Sequence, residues 1–501
     1  LRARQIVGAT VMAVAAGTAL ALTLPALAKT DERPRPAPTA KPTPAKSTPA
    51  LAAPLAAAPA PKAAVTPRGS AADCPKDVRP GGAGTAASPS AASYLGTGKD
   101  DAANAVDIGA GCTIVVGGRF NATTLLAKAA KLPGGGAGAV LRLDATGRKV
   151  LSASRVAGAV DDLEVRRTTG DIAVATDKGV RLLDATAAHV RWKADGAVTR
   201  VAIGDTGTVA ALSGTTVRIY SATGKATGSV KLSGKTVNDV AVDDKTGRVF
   251  VTGFTQYGGP CKQVQIPFVR AYDRRGAQKW KLYDFAPNAI GDLCADSRGD
   301  RVAMGRDGML YFAGEMAGGN TVFTKNGRST KVDAPNVGYD KFTQAFNTRS
   351  AHLTYFARLD PGAGKVRAGQ SLLARIDVKG DLGNTIKPRA ITADAQGRIY
   401  VGGVSAYQIA DRDKVTMNGK RLKAYAGGDA WVLVTSPDLK KRLLWTAWTD
   451  GGTGEVRGLA VSGGVAALAA RADKTPFYTT APIQAARPAA GGYTAVWPGR
   501  R

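Results

Sequence analysis

Residues 94–497 are written in short apolar runs separated by polar turns, with almost no helical periodicity. One unit sets the pattern: Val240, Ala241 and Val242, a turn from Asp243 through Gly247, then Val249, Phe250 and Val251 with a closing Gly253. Apolar positions that alternate or cluster over a few residues and then break at Gly or Asp predict a buried β-hairpin. Aligning the chain on Val240 places equivalent positions at Val106, Leu163, Val201, Val302, Ile391 and Leu459, so the hairpin recurs seven times. A second piece lies between the hairpins: an apolar strand, then Asp or Ser, then a glycine turn, as in Leu141 to Gly147, Val217 to Gly224 and Val269 to Gly276. Two strands from each piece make a four-stranded sheet.

Repetition of one sheet along a chain is the signature of a propeller. The anchors stand 38 residues apart from Leu163 to Val201 and 39 from Val201 to Val240, close to the minimal blade of about 40 residues. Wider spacings, up to 89 between Val302 and Ile391, predict insertions. The C-terminal run Gly491, Gly492, Tyr493, Thr494, Ala495, Val496, Trp497 parallels Gly427 to Leu433 but lacks its following strand. Ala92, Ser93, Tyr94, Leu95 and Gly96 fit that missing strand, so the two ends are expected to complete one blade jointly and leave no open edge. The predicted fold is all-β: a seven-bladed β-propeller with N- and C-terminal strands closing one blade.

The N-terminal part departs from this pattern. Arg2 and Arg4 precede an apolar run from Ile6 to Leu27 ending in Ala26, Leu27, Ala28, the layout of a signal peptide over residues 1–28, cleaved or kept as an anchor. Residues 29–70 hold ten prolines among Ala, Lys and Thr and read as a disordered linker that cannot build a core. Residues 71–91 form an extension carrying Cys74, and residues 92–501 the propeller. No later run approaches the roughly 20 apolar residues of a spanning helix, so no integral membrane domain is expected after the signal segment. Export places the chain outside the cytoplasm, secreted or wall-associated, where its four cysteines read as disulfides. Of three possible connectivities, Cys74 with Cys112 and Cys261 with Cys294 is favoured, because each pair joins neighbouring segments.

The formal charge of +29 is spread along the chain and implies attraction to polyanions. Outside the cell these are cell-wall polymers, acidic glycans, phospholipid headgroups or an extracellular protein; nucleic acid is less available there. A monomer is expected.

Several segments resemble bacterial propeller repeats. Tyr94, Leu95, Gly96 with Asp100, Asp101, Ala102 and Asn104, followed by Val115, Val116, Gly117, Gly118, resemble the SBBP-type repeat, as do Arg398 to Gly403 and Gly428 to Val432. Leu182, Leu183, Asp184 with Trp192, and Val269 to Asp273 with Trp280, are similar to repeats of PQQ-like propellers. The resemblance implies a blade architecture and carries no activity with it. A vicinal cysteine pair and a dense tryptophan series are missing, so no redox cofactor is expected.

No catalytic apparatus is legible. No nucleophile elbow, phosphate loop or HExxH helix occurs, and with only His189 and His352 no Cys/His metal site is expected. Both histidines read as structural or surface residues. Asp243 and Asp244 read as turn caps, and Asp100 and Asp101 as structural. Binding residues are expected on insertions: Tyr257 and Lys262 in residues 254–267, Tyr339 and Arg349 in residues 315–355, and Trp448 beside Trp445 and Asp450 in the last blade. The expected function is an extracytoplasmic binding or scaffold module recognising a protein or anionic cell-surface glycan. The rivals are a secreted polysaccharide hydrolase or lyase, which requires converging acids in the channel, and a purely structural envelope protein, which requires no concave polar site.

Overall fold

The computed structural model describes Cys74 and residues 88–498, apart from 99, 122–123, 260, 339, 341–350, 376–382, 408, 410–411, 424–426, 450–452, 474–476, 485–487 and 489. The signal segment, the linker, Tyr339, Arg349 and Asp450 lie outside the described residues. Within them stand seven sheets of four or five strands, each built on four antiparallel neighbouring strands. We number them as blades 1 to 7 from the N-terminus.

The innermost strands are Ala102–Ile108, Val160–Val165, Arg200–Ile203, Thr236–Asp243, Ser297–Met304, Ile386–Ala393 and Gly454–Ser462. Each contacts the inner strand of the next blade, and that of blade 7 contacts blade 1, so the ring is closed. All seven anchors lie on these strands, are buried, and line the central channel. The second strands, such as Ile172–Thr176 and Leu310–Met316, are buried on both faces because each blade is sandwiched between two others. Outer strands face solvent on one side, and Val190–Asp195 alternates half-buried and exposed residues throughout. Apolar faces of adjacent blades mesh: Ala210, Leu212 and Ile219 of blade 3 pack with Val240, Val249 and Phe268 of blade 4.

The ring closes as expected. Ala91–Tyr94 pairs antiparallel with Gly491–Pro498, Ala91 opposite Val496 and Tyr94 opposite Tyr493, and forms the outer strand of blade 7. Tyr94 and Tyr493 are fully buried edge to face, with ring centroids 5.6 Å apart.

The two ends of the channel differ. Every inner strand turns into its second strand at one end, through tight connections such as residues 244–247 and 305–309; this is the turn face. The opposite end, the loop face, carries the long insertions of residues 120–137, 317–352, 406–428 and 473–490. Residues 254–267, expected as a loop, instead prolong blade 4 as a regular hairpin, Arg248–Gly259 with Lys262–Asp273. Cys261 at its tip is bonded to Cys294 on the loop face, and Cys74 to Cys112 on the turn face. Cys74 also donates its N–H to Ser462 Oγ at 3.1 Å, which fastens the segment across blades 1 and 7.

Candidate functional site

Six inner strands carry a β-bulge at the same place, two residues before the anchor: Asn104, Asp161, Asn238, Asp300, Arg389 and Arg457. In blade 3 the strand starts at Arg200, with Thr199 in the equivalent position. A bulge leaves one residue out of the ladder and re-aims its side chain. The result is a polar ring at the loop-face mouth, a cavity of about 510 Å³ lined by Asn104, Asp161, Thr199, Arg200, Val237, Asn238, Arg301, Arg389, Glu455 and Arg457.

Four guanidinium groups meet two carboxylates there. Glu455 receives Arg389 Nε at 2.5 Å on one oxygen and Arg457 Nε at 3.1 Å on the other, while Arg457 also donates to Asn104 Oδ1 at 2.7 Å. Arg301 donates to two main-chain carbonyls, Arg389 O at 2.6 Å and Asp300 O at 2.8 Å. Burial, then the like charge of Arg200, pushes its pKa down to about 10. Arg200 itself sits 4.0 Å from Asp162 and 3.9 Å from Asp239. No aromatic side chain lines this mouth among the described residues.

Behind the mouth, buried Glu315 is encircled by His352 at 3.2 Å, Lys387 and Arg389 at 3.4 Å and Arg298 at 3.7 Å. Burial alone would raise its pKa, but neighbouring His352 and the Lys387 and Arg389 charges hold it below the usual carboxylate range. Neighbouring Asp300 is held high by burial and then by the Glu315 charge. His352 thus lies against a carboxylate that sequence spacing does not pair with it.

Deeper in the channel, carboxylates serve the seams between blades. Inner strands are sheet edges whose N–H groups need partners. Asp107 accepts from Val165 N at 2.7 Å, Asp162 from Val201 N at 3.1 Å, Glu164 from Ile203 N at 2.9 Å and Asp239 from Val302 N at 3.0 Å. Burial lifts Asp162 to about 6, and burial with the Asp107 charge lifts Glu164 to about 8. These are the converging acids that a hydrolase requires, yet each is engaged by a main-chain donor of the adjoining blade.

At the turn face two arginines span the channel. Arg167 of blade 2 donates to Met304 O of blade 5 at 2.9 Å, and Arg306 of blade 5 donates to Val461 O of blade 7 at 2.5 Å and Ile108 O of blade 1 at 2.9 Å. Both line the narrow space of about 140 Å³ beneath the mouth. The channel is therefore crossed at one end and open at the other.

The residues expected on insertions are not gathered here. Tyr257 is half-buried and Lys262 exposed at the tip of the blade 4 hairpin. Trp448 corrects the expectation of a ligand contact: it is 0% exposed, packed against Trp497 with centroids 5.4 Å apart, and has no surface to offer. It and Trp445 belong to blade 6, not the last blade. Asp243 caps Lys245 N and Thr246 Oγ1 as expected, whereas Asp244 reaches across the seam to Thr206 N at 2.6 Å. Asp101 accepts from Thr97 N and Asn121 N, a structural role.

No family model matches the chain, and no curated protein matches it. Among solved structures, 707 chains match. A chain in a crystal structure of a mitotic checkpoint complex is 12% identical, with 84% of this chain and 95% of that one covered and a TM-score of 0.44. A chain of Kuenenia stuttgartiensis hydrazine synthase is 10% identical, covering 75% and 94%, also at 0.44. Similarity at that level carries no functional information, and this chain's own residues define its site.

Proposed function

We propose that the protein is an extracytoplasmic binding module, of the SBBP-type or PQQ-like repeat kind, that recognises an anionic cell-surface glycan at its loop-face mouth. One observation carries the reading: Arg200, Arg301, Arg389 and Arg457 converge on an open polar cavity that Asp161 and Glu455 also line, with Asp162, Asp239 and Glu315 set behind them. Guanidinium forks suit oxyanions, and the described residues that line the mouth are, save Val237, charged or polar with no aromatic among them, which favours charge over sugar stacking. Two disulfides suit an oxidising compartment, and no helix among the described residues is long and apolar enough to cross a membrane. Residues 1–28 as export signal, 29–70 as tether and 92–501 as propeller complete the reading. Tyr257 and Lys262 lie on the blade 4 hairpin that extends toward the loop face.

A purely structural envelope protein gives no reason for a polar cup of this size. The hydrolase reading draws on the channel carboxylates, which are committed to seam hydrogen bonds.

Surface plasmon resonance of the full chain over an immobilised phosphorylated glycan tests the reading. Binding is expected to weaken by at least about tenfold between about 0.05 M and 0.5 M salt, because exposed charges are screened over that range. Affinity indifferent to salt contradicts an electrostatic partner.

A further inference from the structure

Two blades carry a fifth strand laid parallel on their outer edge by their own insertions: Ala130–Lys131 on Ser154 and Arg155 in blade 1, and Asn336–Val337 on Gly369 and Gln370 in blade 5. An outer edge of this propeller therefore accepts an added strand. The fourth strands of blades 2, 3, 4 and 6 end their sheets without one among the described residues. Unpaired N–H and C=O groups on such an edge are a template for another chain.

The outer strand of blade 4, Gln278–Leu282, runs beside a cavity of about 500 Å³ lined by Lys279, Trp280, Lys281, Phe285, Gly327 and Arg328. Consecutive side chains of a strand point to opposite faces, so a cavity that touches 279, 280 and 281 in succession follows the strand's edge and neither of its faces. Pairing is already begun at one end. Tyr283 N–H donates to Gly327 O at 2.6 Å, and there the blade 5 insertion bends away, with Arg328 donating to Ala363 O. Lys281, two residues before Tyr283, turns its own N–H and C=O the same way by strand alternation, toward the cavity.

The two sides of this edge differ in chemistry. Trp280 and Phe285 belong to the apolar cluster between blades 4 and 5, whereas Lys279 and Lys281 are exposed. Lys279 pairs with Asp273 at 2.8 Å. Lys281 at 3.7 Å shares the carboxylate of Asp284 with Arg270 at 2.6 Å and Lys235 at 3.7 Å. Asp360, which caps the neighbouring turn of blade 5, is held by Arg367. Lysines on an edge repel a second copy of the same strand, and by the same sign they admit a strand with an acidic side.

We propose that the outer edge of blade 4 is a strand-addition site for an extended segment of a partner protein, acidic where it meets Lys279 and Lys281 and apolar where it meets Trp280 and Phe285. Main-chain hydrogen bonds to the edge supply affinity, and the two unlike sides fix the register. The site is separate from the mouth and does not rest on the glycan reading.

Fluorescence anisotropy of a labelled decapeptide of alternating Glu and Val, titrated with the full chain at about 0.05 M salt, tests it. This peptide is expected to bind at least about tenfold tighter than its counterpart of alternating Lys and Val. A strand adds through one of its edges, so N-methylation of every Glu or of every Val is expected to abolish binding in one form and leave it within about threefold in the other. Lys281→Pro removes an N–H that the sheet does not use and is expected to weaken binding by about tenfold or more at unchanged circular dichroism. If that variant unfolds, Lys279→Gln with Lys281→Gln serves for the same comparison, with a loss of about fivefold or more. Arg389→Gln with Arg457→Gln, at the mouth, is expected to leave peptide affinity within about twofold. No binding of the acidic peptide, equal affinity for the basic one, or equal effects of the two methylations overturns strand addition. Loss of peptide binding in the mouth variant places the peptide elsewhere and overturns it too, as does a hexagalacturonate that displaces the peptide with equal affinity, which would make the groove a glycan site.

Discussion

At Gly118, Gly253, Gly314 and Gly403 an added β-carbon would lie 2.0, 1.9, 2.2 and 1.9 Å from the carbonyl oxygens of Ala102, Thr236, Arg298 and Lys387. These glycines sit at one register position in blades 1, 4, 5 and 6, facing the residue that precedes each bulge pair. The closing glycine of the hairpin unit thus lets the inner strand buckle inward, and the buckle delivers the mouth residues. A residue-level cost accompanies the seams. Glu164 is held at about 8, well above the ordinary glutamate value of about 4.3, so between those values the folded chain keeps a proton that the unfolded chain has lost. Stability must then fall as the pH rises from about 4 to about 8, and Asp162 adds to the fall over its lower part. Glu164→Gln keeps an acceptor for Ile203 N–H and removes the titration. In urea denaturation across this range the variant is expected to lose less stability than wild type by about 2 kcal/mol or more; parallel pH profiles contradict the assignment.

Blades are stitched to one another by carboxylates and to the N-terminal segment by a disulfide. The Cys74–Cys112 bridge closes a separation of 38 residues and spans blades 1 and 7 on the turn face, opposite the mouth. Cys74→Ser with Cys112→Ser is expected to lower unfolding free energy by about 4 kcal/mol on the loop-entropy scale, while ligand affinity at the loop face stays within about twofold. Comparable loss of affinity would place the site on the wrong face. At this scale much was legible from sequence. Period-two burial and turn residues are local, so all seven anchors from Val106 to Leu459 fall on inner strands, and the leading strand could be matched to the trailing one. The mouth was not legible. Arg389 and Arg457 are ordinary surface arginines until six bulges align them across the ring, and Arg167 and Arg306 read as turn residues until the far wall supplies their carbonyls. Glu315 and His352 meet across an insertion whose path no spacing rule gives. Trp448 shows the reverse error, an aromatic residue beside an insertion that the core consumes entirely.

Over the whole molecule, a closed ring of seven sheets fixes the cup's geometry, and the full chain carries a formal charge of +29. That charge draws polyanions to any face, so affinity alone cannot locate the site. Two variants that remove equal charge separate the mouth from the general field: Arg389→Gln with Arg457→Gln at the mouth, and Lys225→Gln with Arg275→Gln on exposed turns of the opposite face. Equilibrium affinity of each for the same phosphorylated glycan, at one ionic strength near 0.15 M, is the most direct test. The mouth pair is expected to lose about tenfold or more and the turn-face pair less than about twofold. Equal losses from both pairs would mean that the protein holds anions by its overall charge, and that the cup is not its binding site.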